Sequence, residues 1–443
     1  MEKDRLIVFC RYPVPGRAKT RLIPTLGRVG AADLHRMLTE RTVTTALSFA
    51  RESTVDVEIC FEGGDELKLR RWLGCRARLT AQAPGDLGEK MHNAFADAFD
   101  NSARRVVLIG TDIPQLKKCH LRAAFNSLDD KDLVLGPSTD GGYWLMGLRF
   151  PVNLFQDINW GSKDVLERTL VQAERNAMSV CKLDPLTDID TVEDFRALMP
   201  GHFIGKPYLT VIIPALNEES NIEDAISTAL DEESEIIVVD GGSNDKTVDI
   251  ASRAGVRVAT SSPGRALQQN IGAKLARGDL LLFLHADTKL PADYIDRVFD
   301  LLNDRNFAVG AFMFKTDLKS PAMRLAEFFT NLRARYFRLP YGDQALFMRK
   351  SVFKSVGGFP DVPIAEDLML IRKLLKIGSV RISSVPAVTS GRRWKRHGLI
   401  LTTLINQLIM IGCCLGVSPS FLRPLYGGSV EADNFNKFDK DEM

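Results

Sequence analysis

The sequence lacks the cysteine patterns that mark disulfide-bonded proteins and zinc sites. Its 443 residues include seven cysteines, scattered without a CxxC pair and without a cluster of cysteine and histidine. An odd, dispersed set of thiols is typical of reduced cysteines in a cytoplasmic protein. The sequence therefore predicts a cytoplasmic protein whose cores form without disulfides, since a chain of this length can bury enough apolar surface.

A strong charge of one sign is also missing. The chain carries 58 Lys and Arg against 56 Asp and Glu, a net charge of +2, and neither half is strongly basic. Nucleic-acid-binding domains concentrate positive charge on one face, so we expect no nucleic-acid partner. Any phosphate that the protein binds must be held by a few local cations.

Long apolar runs are almost absent, and the start of the chain has none that would serve as a signal peptide. The exception is residues 398–417, twenty residues without a charge that follow four basic residues. Such a segment is long enough to span a bilayer, and its basic flank favours the cytoplasmic side. Because Asn406 and Gln407 interrupt it, a buried, dimerising or membrane-surface helix is the favoured alternative.

What the sequence has is an alternation of short β-branched runs and amphipathic stretches. The predicted strands are 6–10, 57–61, 106–110, 133–136, 209–213, 236–239, 256–259 and 280–284. The predicted helices are 31–50, 87–99, 163–175, 222–230 and 266–276. This alternation favours the α/β class, with mostly parallel sheets flanked by helices.

The length and a local lapse in the alternation predict two tandem domains. A chain of 443 residues suggests two or three domains, and a Pro/Gly-rich stretch interrupts the pattern near its middle. We expect a first domain at 1–200, a linker at 201–207 and a second domain at 208–427. The polar, acidic residues 428–443 predict a disordered tail.

Both predicted domains place an acid just after a buried strand. Asp112 follows the strand at 106–110, and Asp287 follows the strand at 280–284. In open α/β sheets, ligands bind beyond the carboxyl ends of the strands. The two acids therefore predict two ligand or metal sites.

The second domain carries a series of motifs in order. ALNEE, DGGSND and HADT each follow a predicted strand. IAEDLML begins an amphipathic stretch, and SGRRWKRHG comes last. This order resembles glycosyltransferase family 2, whose members are inverting enzymes with the GT-A fold, and in particular the radical-SAM/selenodomain-associated transferases of type 2. The resemblance covers about residues 209–394.

The resemblance implies a site for a nucleotide-sugar donor. The residues implied to contact that donor are Pro214, Asn217, Glu218, Asp240, Gly241, Arg392, Arg393 and Trp394. Asp287 is implied to ligate Mg²⁺ or Mn²⁺, hard ions that prefer oxygen and screen a leaving diphosphate. The sequence departs from the family at His285, where the first acid of the DxD motif is expected.

The resemblance also implies the catalytic and acceptor residues. Asp367, beside Glu366, matches the base that deprotonates an acceptor hydroxyl. The YGDQALF segment is a weaker match, which implies an acceptor pocket bordered by Gly342, Asp343 and Gln344.

Each of these motifs also has an ordinary structural explanation. Asp240 could cap a turn, and acids are favoured at the start of a helix, where Glu366 and Asp367 lie. The basic run before residue 398 could be a solvated or lipid-facing patch. Their joint occurrence in the expected order favours an enzyme.

The first domain has a basic loop directly after its first strand. Arg17, Lys19 and Arg21 alternate in a Pro/Gly-rich segment, where they could converge on a phosphate chain; a plain surface loop is the alternative. The spacing does not match a Walker loop. With GDLGEKM, GTDIP, GPSTDGGYWLMGL, INWGS and LTDIDTVEDF, the loop resembles GT-A-like transferases related to 2-phospholactate guanylyltransferase and the molybdenum-cofactor nucleotidyltransferases.

This second resemblance spans about residues 6–198 and is of the radical-SAM/selenodomain-associated type 1, found in arsenosugar-type pathways. It implies that Lys19 and Arg21 hold a nucleoside triphosphate. Asp112 and Asp190, or Asp188 in place of the latter, are implied to ligate Mg²⁺. Charge neutralisation and positioning of this kind supply most of the rate of phosphoryl-type transfer.

Two glycines of the first domain are assigned to its substrate site by the same resemblance. Gly141 and Gly142 would let a substrate pack against the backbone beside Asp140. The Pro/Arg/Lys loop replaces the glycine-rich first loop of the molybdenum-cofactor enzymes, so the nucleotide is left open.

The sequence thus predicts a bifunctional transferase. A metal-dependent inverting glycosyltransferase would transfer a sugar from a nucleotide-sugar to an unknown small-molecule or lipid-like acceptor, and the nucleotidyltransferase-like domain would make the donor. The alternative is guanylyl or cytidylyl transfer as the main activity, with a scaffolding or membrane-tethering second domain. The basic, aromatic stretch 323–338 and residues 398–417 leave open a peripheral contact with the cytoplasmic face of a membrane, and a homodimer.

Overall fold

The computed structural model describes residues 3–199 and 208–426. The chain divides into two compact units, Met1–Gly205 and Lys206–Met443. The predicted linker at 201–207 and the predicted tail at 428–443 lie outside the described residues.

The first unit is built on a sheet of seven strands. In chain order these are β1 (Lys3–Arg11), β2 (Val55–Glu62), β3 (Arg78–Ala81), β4 (Ala103–Ile109), β5 (Leu133–Pro137), β6 (Tyr143–Leu148) and β7 (Val180–Lys182). Across the sheet the order is β3-β2-β1-β4-β6-β5-β7. All neighbours are parallel except β6, which runs antiparallel to β4 and β5.

Helices cover both faces of this sheet. They are α1 (Ile23–Arg51), α2 (Glu66–Leu73), α3 (Leu87–Asp100), α4 (Lys118–Ser127), α5 (Val165–Arg175) and α6 (Val192–Leu198). Leu6 and Val8 of β1 pack in one apolar cluster, and Ile7 between them packs in another. Because successive side chains of a strand point to opposite faces, a strand buried on both sides is apolar throughout.

The second unit repeats this architecture. Its strands are β8 (Leu209–Ala215), β9 (Ser234–Asp240), β10 (Arg257–Thr260), β11 (Leu280–Phe283), β12 (Thr288–Lys289), β13 (Phe307–Thr316), β14 (Leu346–Arg349) and β15 (Ser379–Thr389). Their order is β10-β9-β8-β11-β14-β13-β15-β12. Without the two-residue β12, the strand order and directions are those of the first unit, with β14 antiparallel to β11 and β13.

The helices of the second unit include a group at its C-terminal end. In chain order they are α7 (Ile222–Ala229), α8 (Thr247–Arg253), α9 (Arg265–Leu275), α10 (Tyr294–Leu302), α11 (Pro321–Tyr336), α12 (Lys350–Ser355), α13 (Glu366–Leu374), α14 (Arg392–His397), α15 (Leu399–Cys414) and α16 (Pro419–Tyr426). The uncharged segment of the sequence forms α15. In the described part of the chain, no helix combines the length and apolar character needed to cross a membrane.

The predicted α/β class, with two mostly parallel sheets flanked by helices, is confirmed. Each predicted strand and helix occurs at its expected place in the chain. The largest difference is in α1, which begins at Ile23 and is kinked at Gly27, where φ is 73°. The antiparallel strands β6 and β14 were not predicted: β6 follows β5 directly, without a helix between them, and β14 is only four residues long.

Candidate active site

The loops that follow β8 and β9 are joined by hydrogen bonds. The Ser243 hydroxyl accepts from the Asn217 N–H at 2.9 Å, and the Asn217 side chain accepts from the Asn244 N–H at 2.9 Å. The Thr247 hydroxyl accepts from the Glu218 N–H at 2.8 Å. Asn217 is in the left-handed region, with φ 54°, which asparagine tolerates better than most residues. In this structure Asn217 fixes the loops, and its predicted contact with a donor stays a prediction.

Asp240 closes the second of these loops. Its carboxylate accepts from the Gly242 N–H at 2.9 Å, from the Ser243 N–H at 3.0 Å and from the Ser243 hydroxyl at 2.5 Å. Only 3% of Asp240 is exposed. The alternative that Asp240 caps a turn therefore holds in this structure, and its contact with a nucleotide stays a prediction.

Gln268 of α9 links the ends of the two strands, and the sequence analysis missed it. Its side-chain amide donates to the carbonyls of Ala215 and Val239, both at 2.8 Å. A Cβ on Gly241 would lie 3.0 Å from the same amide nitrogen, so this glycine leaves room for the bridge. No motif marked Gln268, because a buried bracing glutamine is recognisable only once the fold is known.

Three residues of the predicted donor site form one charged cluster beyond β11. Arg392 donates to Glu218 at 2.8 Å through Nη1 and again through Nη2, and its Nη2 lies 3.4 Å from Asp287 Oδ2. The side chains of Glu218 and Asp287 are 13% and 19% exposed, and that of Arg392 is 47% exposed. A half-exposed guanidinium therefore neutralises two largely buried acids from the solvent side.

Asp367, Gly342 and His285 meet at the start of α13. The Gly342 N–H donates to Asp367 Oδ2 at 2.6 Å. A Cβ on Gly342 would lie 2.7 Å from His285 Nε2 and 3.2 Å from Asp367 Oδ2. Burial, and then the charge of Arg265, lower the pKa of His285 to about 3. His285 is thus a neutral neighbour of Gly342 where the resemblance expected an acid.

Glu366 and Asp367 begin α13 as predicted, and neither takes the capping position. The N-cap of the helix is Ala365, which has a φ of 61° and offers no side-chain cap. Glu366 is buried and lies 3.7 Å from Arg265. The Leu368 N–H donates to Asp367 Oδ1 at 2.7 Å. Two backbone N–H groups, from Gly342 and Leu368, thus orient the Asp367 carboxylate.

Gln344, predicted to border an acceptor pocket, has a structural role in this fold, and the predicted role stays a prediction. Gln344 is fully buried, donates to the Phe312 carbonyl at 2.9 Å and accepts from the Tyr341 N–H at 3.1 Å. Both ends of its amide are therefore engaged by the backbone. Gln344 braces the turn that carries Gly342 and Asp343.

Asp343 does line a cleft, together with Arg333 and Trp394. Its Oδ1 is buried and has no hydrogen-bond partner among the described residues. Burial raises the pKa of Asp343 to about 7, with Arg333 opposing the rise and Asp367 and Asp287 adding to it. Three carboxyl groups therefore act on one another at this end of the second sheet.

In the first unit, Lys19 lies between the two acids predicted to ligate a metal. Its Nζ is 3.1 Å from Asp112 and 2.9 Å from Asp190, and its side chain is only 6% exposed. Arg21 adds a contact with Asp190 at 3.0 Å, and His35 lies 3.7 Å from Asp112. Burial alone would lower the pKa of Lys19, but the two carboxylates outweigh it and raise that pKa. A charged ammonium thus fills the space between the predicted ligands.

The pKa values of Asp112 and Asp188 are shifted in opposite directions by their surroundings. Burial alone would raise the pKa of Asp112, but Lys19 and His35 outweigh it and hold that pKa well below its usual range. The pKa of Asp188 is raised by burial and by the charges of Asp140 and Asp190. Within 3–199 and 208–426, no three His, Cys, Asp or Glu side chains are grouped to hold a metal ion.

Gly141, predicted to open the backbone to a substrate, also has a structural reason to be glycine, and the substrate contact stays a prediction. A Cβ on Gly141, whose φ is 96°, would lie 2.1 Å from the carbonyl oxygen of Lys163. The glycine therefore makes room for the chain itself. The neighbouring Gly142 donates its N–H to Asp140 at 3.0 Å. Arg17 is exposed and does not share the contacts of Lys19 and Arg21.

Comparison with known families assigns each unit separately. Residues 45–162 match a family described as an uncharacterised protein conserved in bacteria, DUF2064. Residues 210–357 match glycosyl transferase family 2. Both matches fall within the ranges that carried the two resemblances in the sequence.

Individual relatives cover part of the chain. An uncharacterised glycosyltransferase of Haemophilus influenzae is 25% identical over 154 residues, 32% of this chain and 60% of that protein. An undecaprenyl-phosphate 4-deoxy-4-formamido-L-arabinose transferase of Edwardsiella ictaluri is 23% identical over 240 residues, 50% of this chain and 72% of that protein. A solved structure from Desulfovibrio desulfuricans, named as a candidate nucleotide-diphospho-sugar transferase, is 36% identical over 45% of this chain and 87% of that chain, with a TM-score of 0.42.

Proposed function

The chain belongs to DUF2064 in its first unit and to glycosyl transferase family 2 in its second, and on this premise we propose an activity for the second unit. It transfers a sugar from a nucleotide-sugar to an acceptor hydroxyl, with inversion at the anomeric carbon. The observation that supports this most is the hydrogen bond of 2.6 Å from the Gly342 N–H to Asp367, beside Asp343, whose raised pKa reflects the charges of both Asp367 and Asp287.

Asp367 is proposed as the general base. As the acceptor hydroxyl attacks, its oxygen forms a bond to the anomeric carbon and its proton passes to the Asp367 carboxylate. The bond between the anomeric carbon and the diphosphate oxygen breaks on the opposite side, and the electron pair leaves with the diphosphate. The N–H groups of Gly342 and Leu368 hold the carboxylate in position, which supports this role because orientation determines much of the rate.

Arg392 is proposed to bind the donor diphosphate. Arg392 is half-exposed and pairs with Glu218 and Asp287. Because its guanidinium is not in a buried position, it can turn toward a phosphate in the solvent. Arginine recognises phosphate oxygens through paired N–H donors. Arg393 and Trp394, next in the chain, are proposed to contact the donor as well.

A divalent cation, Mg²⁺ or Mn²⁺, fits the residues around Asp287. Proteins often bind Mg²⁺ through one or two carboxylates, while substrate phosphates and water supply the other ligands. Asp287 offers one such carboxylate, and Asp343, whose pKa the charge of Asp287 helps to raise, has a buried Oδ1 without a hydrogen-bond partner among the described residues. When bound, the cation would screen the negative charge of the departing diphosphate.

The test uses the purified full chain with Mn²⁺ and a panel of UDP- and GDP-sugars. We expect release of nucleoside diphosphate from at least one donor, and Asp287→Ala should lower that release by about a hundredfold or more. Asp224→Asn is the matched control, because Asp224 is an exposed acid of the same unit paired with Lys289. If no donor binds or reacts, or if the two variants behave alike, the proposal fails.

Nucleotidyl transfer by the first unit is the second candidate, and it could supply the donor. The cations Lys19 and Arg21 lie beside a strand-end acid, as that reaction needs, and this favours it. The ammonium between Asp112 and Asp190 counts against a metal at the same place. Pyrophosphate release from GTP or CTP with Mg²⁺, abolished by Lys19→Ala, would establish the activity, and no release from any nucleoside triphosphate would exclude it.

A further inference from the structure

One side of α15 exposes a continuous row of apolar side chains. The row consists of Leu401, Leu404, Leu408, Ile411 and Leu415, each between 48% and 79% exposed. Their spacing of three and four residues places them on one helix face. The opposite face packs through residues such as Ile409 and Cys413 against Leu368 of α13. The helix is therefore held by one face and presents leucines to solvent with the other.

The neighbouring helix α11 presents a second such row. Its exposed members are Leu325, Phe328, Phe329, Leu332 and Tyr336, between 37% and 72% exposed. The helices α11 and α15 contact each other, so we treat the two rows together as the apolar face. Proteins that act as soluble monomers rarely expose contiguous apolar surface of this kind, and larger patches mark interaction sites.

The chain around the apolar face is strongly basic. Residues 321–338 and 390–426 contain nine Arg and Lys and a single acid, Glu327. That acid is buried and accepts hydrogen bonds from the N–H and hydroxyl of Thr316. An apolar surface bordered by cations is complementary to an anionic lipid surface. Two copies of this face would instead bring like charges together, which costs free energy.

A cleft between α11 and α15 contains a buried cation. The cleft is lined by residues that include Arg333, Asp343, Trp394 and Asn406. Arg333 is 7% exposed, and its Nε and Nη2 have no hydrogen-bond partner among the described residues. Its guanidinium carbon lies 3.7 Å from the centre of the Tyr341 ring.

A buried guanidinium with two nitrogens that lack hydrogen-bond partners among the described residues favours an anionic ligand. Burying N–H donors without acceptors costs free energy, and the planar fork of arginine matches the oxygens of phosphate or carboxylate. One hydrogen bond links the wall of the cleft to the proposed base, because Asp343 lines the cleft and the adjacent Gly342 donates to Asp367. An anionic group held by Arg333 would thus lie close to the acceptor hydroxyl.

We propose that the acceptor is a membrane lipid with an anionic head group, which enters the cleft to Arg333 while the apolar face lies in the lipid surface. This inference rests on the proposed function, since it places the acceptor hydroxyl beside Asp367. The head group must carry both the anionic group and a hydroxyl. Phosphatidylglycerol has both, and it is the probe used below.

The first test is co-sedimentation of the full chain with vesicles of phosphatidylcholine alone or mixed with phosphatidylglycerol. We expect binding to the anionic vesicles that weakens with salt. The double variant Leu404→Gln, Leu408→Gln should bind about tenfold more weakly or worse, because two leucines no longer enter the lipid. Leu67→Gln is the control, since Leu67 is an exposed leucine of the first unit and should bind as the wild type does.

The second test concerns the head group alone, with Trp394 fluorescence as the signal and Trp394→Phe as its blank. Glycerol 1-phosphate should change the fluorescence of the full chain. Arg333→Met should abolish the response, and Arg333→Lys should keep a weaker one. Thermal melting checks that both variants fold. A response to nucleoside diphosphates but none to glycerol 1-phosphate would assign Arg333 to the donor and overturn the proposal.

Other outcomes also decide the matter. Failure of the wild type to bind anionic vesicles, or equal binding by the double leucine variant, would overturn the proposal. A wild-type dimer that the leucine substitutions dissociate, without vesicle binding, would assign the apolar face to a second copy. Because donor turnover is measured without lipid, nucleotide-sugar hydrolysis with no vesicle binding would leave the proposed function standing. Vesicle binding with no donor turnover would remove that function, and with it the role of the lipid as acceptor.

Discussion

The two units share a strand order but differ in the cation that neutralises the acid after the fourth strand, and in how exposed that cation is. Asp112 follows β4, and Asp287 follows β11. In the first unit the neutralising cation is Lys19, 6% exposed between two carboxylates. In the second it is Arg392, which comes from a helix far along the chain and is 47% exposed.

This difference separates a cation that belongs to the fold from one that a ligand can replace. A buried ammonium cannot leave its two acids without exposing unpaired charge to a low dielectric, which costs several kcal/mol. A half-exposed guanidinium exchanges one partner for another in water at little cost. Two units of one topology can therefore hold a closed and an accessible charge cluster, because function resides in the site rather than in the fold.

The largest expected effect is that of Asp367→Asn in the second unit. Nucleotide release from the reactive sugar donor should fall about 10²- to 10⁴-fold, because the base is lost. The Michaelis constant for the donor should change little, and initial rates across donor concentrations measure both. Glu366→Gln should cost less than about tenfold, since Glu366 faces Arg265.

Two outcomes would contradict the assignment of sugar transfer to the second unit with Asp367 as its base. Equal losses from Asp367→Asn and Glu366→Gln would remove the assignment of the base. A comparable loss of sugar transfer from Asp112→Asn would show that the first unit takes part in the same reaction.

Substitution of Gly342 should have the next largest effect, with Gly110 of the first unit as its contrast. Gly342→Ala would put a Cβ 2.7 Å from His285 Nε2 and 3.2 Å from Asp367 Oδ2. The turn must move, and a displaced base should lower the rate of release about tenfold or more. Gly110→Ala, beyond β4 of the first unit, meets no atom within 4 Å and should leave rate and melting temperature unchanged. A harmless Gly342→Ala would show that the base tolerates displacement.

The sequence predicted four strands of each sheet, namely β1, β2, β4 and β5 in the first and β8, β9, β10 and β11 in the second. It missed the parallel strands β3, β7, β13 and β15. The centres of strands such as β1 and β8 are almost wholly apolar and are bounded by turn residues, so their type and position are legible from local pattern. It also placed Asp287 at a strand end and Asp367 at a helix start, because both positions follow from the order of elements. The short antiparallel strand β14 was missed, since four residues carry no periodicity.

Contacts distant in sequence account for what the sequence could not predict about the candidate site. Gly141 was assigned to a ligand, but it accommodates the carbonyl of Lys163, and Gln344 was assigned to a pocket, but it braces backbone at Phe312. The pairing of Lys19 with Asp190 spans 171 positions. Composition and motif spacing do not indicate which residues distant in sequence lie close together in space. These contacts therefore became apparent only in the folded structure.

Stability measurements test the two cations directly. Lys19→Met leaves Asp112 and Asp190 facing each other without the ammonium, and should lower the free energy of unfolding by about 2 kcal/mol, less than for a fully buried pair because both acids are partly exposed. Arg392→Met should cost at most about 1 kcal/mol. Urea unfolding followed by tryptophan fluorescence measures both.

The tryptophans allow the two losses to be assigned. Trp72, Trp144 and Trp160 report on the first unit, and Trp394 reports on the second. Equal losses from Lys19→Met and Arg392→Met would contradict the distinction between a structural and an exchangeable cation.

The smallest expected effect is a change in how stability depends on pH, caused by Asp343→Asn. The pKa of Asp343 is raised to about 7 by burial, above the value of about 3.9 for an unfolded chain. Between these values the folded state binds more protons than the unfolded state, so this residue lowers stability as pH rises from about 4 to 7. The variant should match the wild type near pH 4 and exceed it by about 1 kcal/mol near pH 8, once partial exposure is allowed for.

Melting temperatures at the two pH values measure this difference, and Asp188→Asn provides the counterpart in the first unit. The pKa of Asp188 is also raised, by burial and by Asp140 and Asp190, so its substitution should change stability with the same sign. If Asp343→Asn were less stable than the wild type at both pH values, the Asp343 carboxylate would have to be charged and favourably paired in the folded protein. Arg333 would then be its partner, and the anion site in the cleft would be closed by the chain itself, as Lys19 closes the cluster of the first unit.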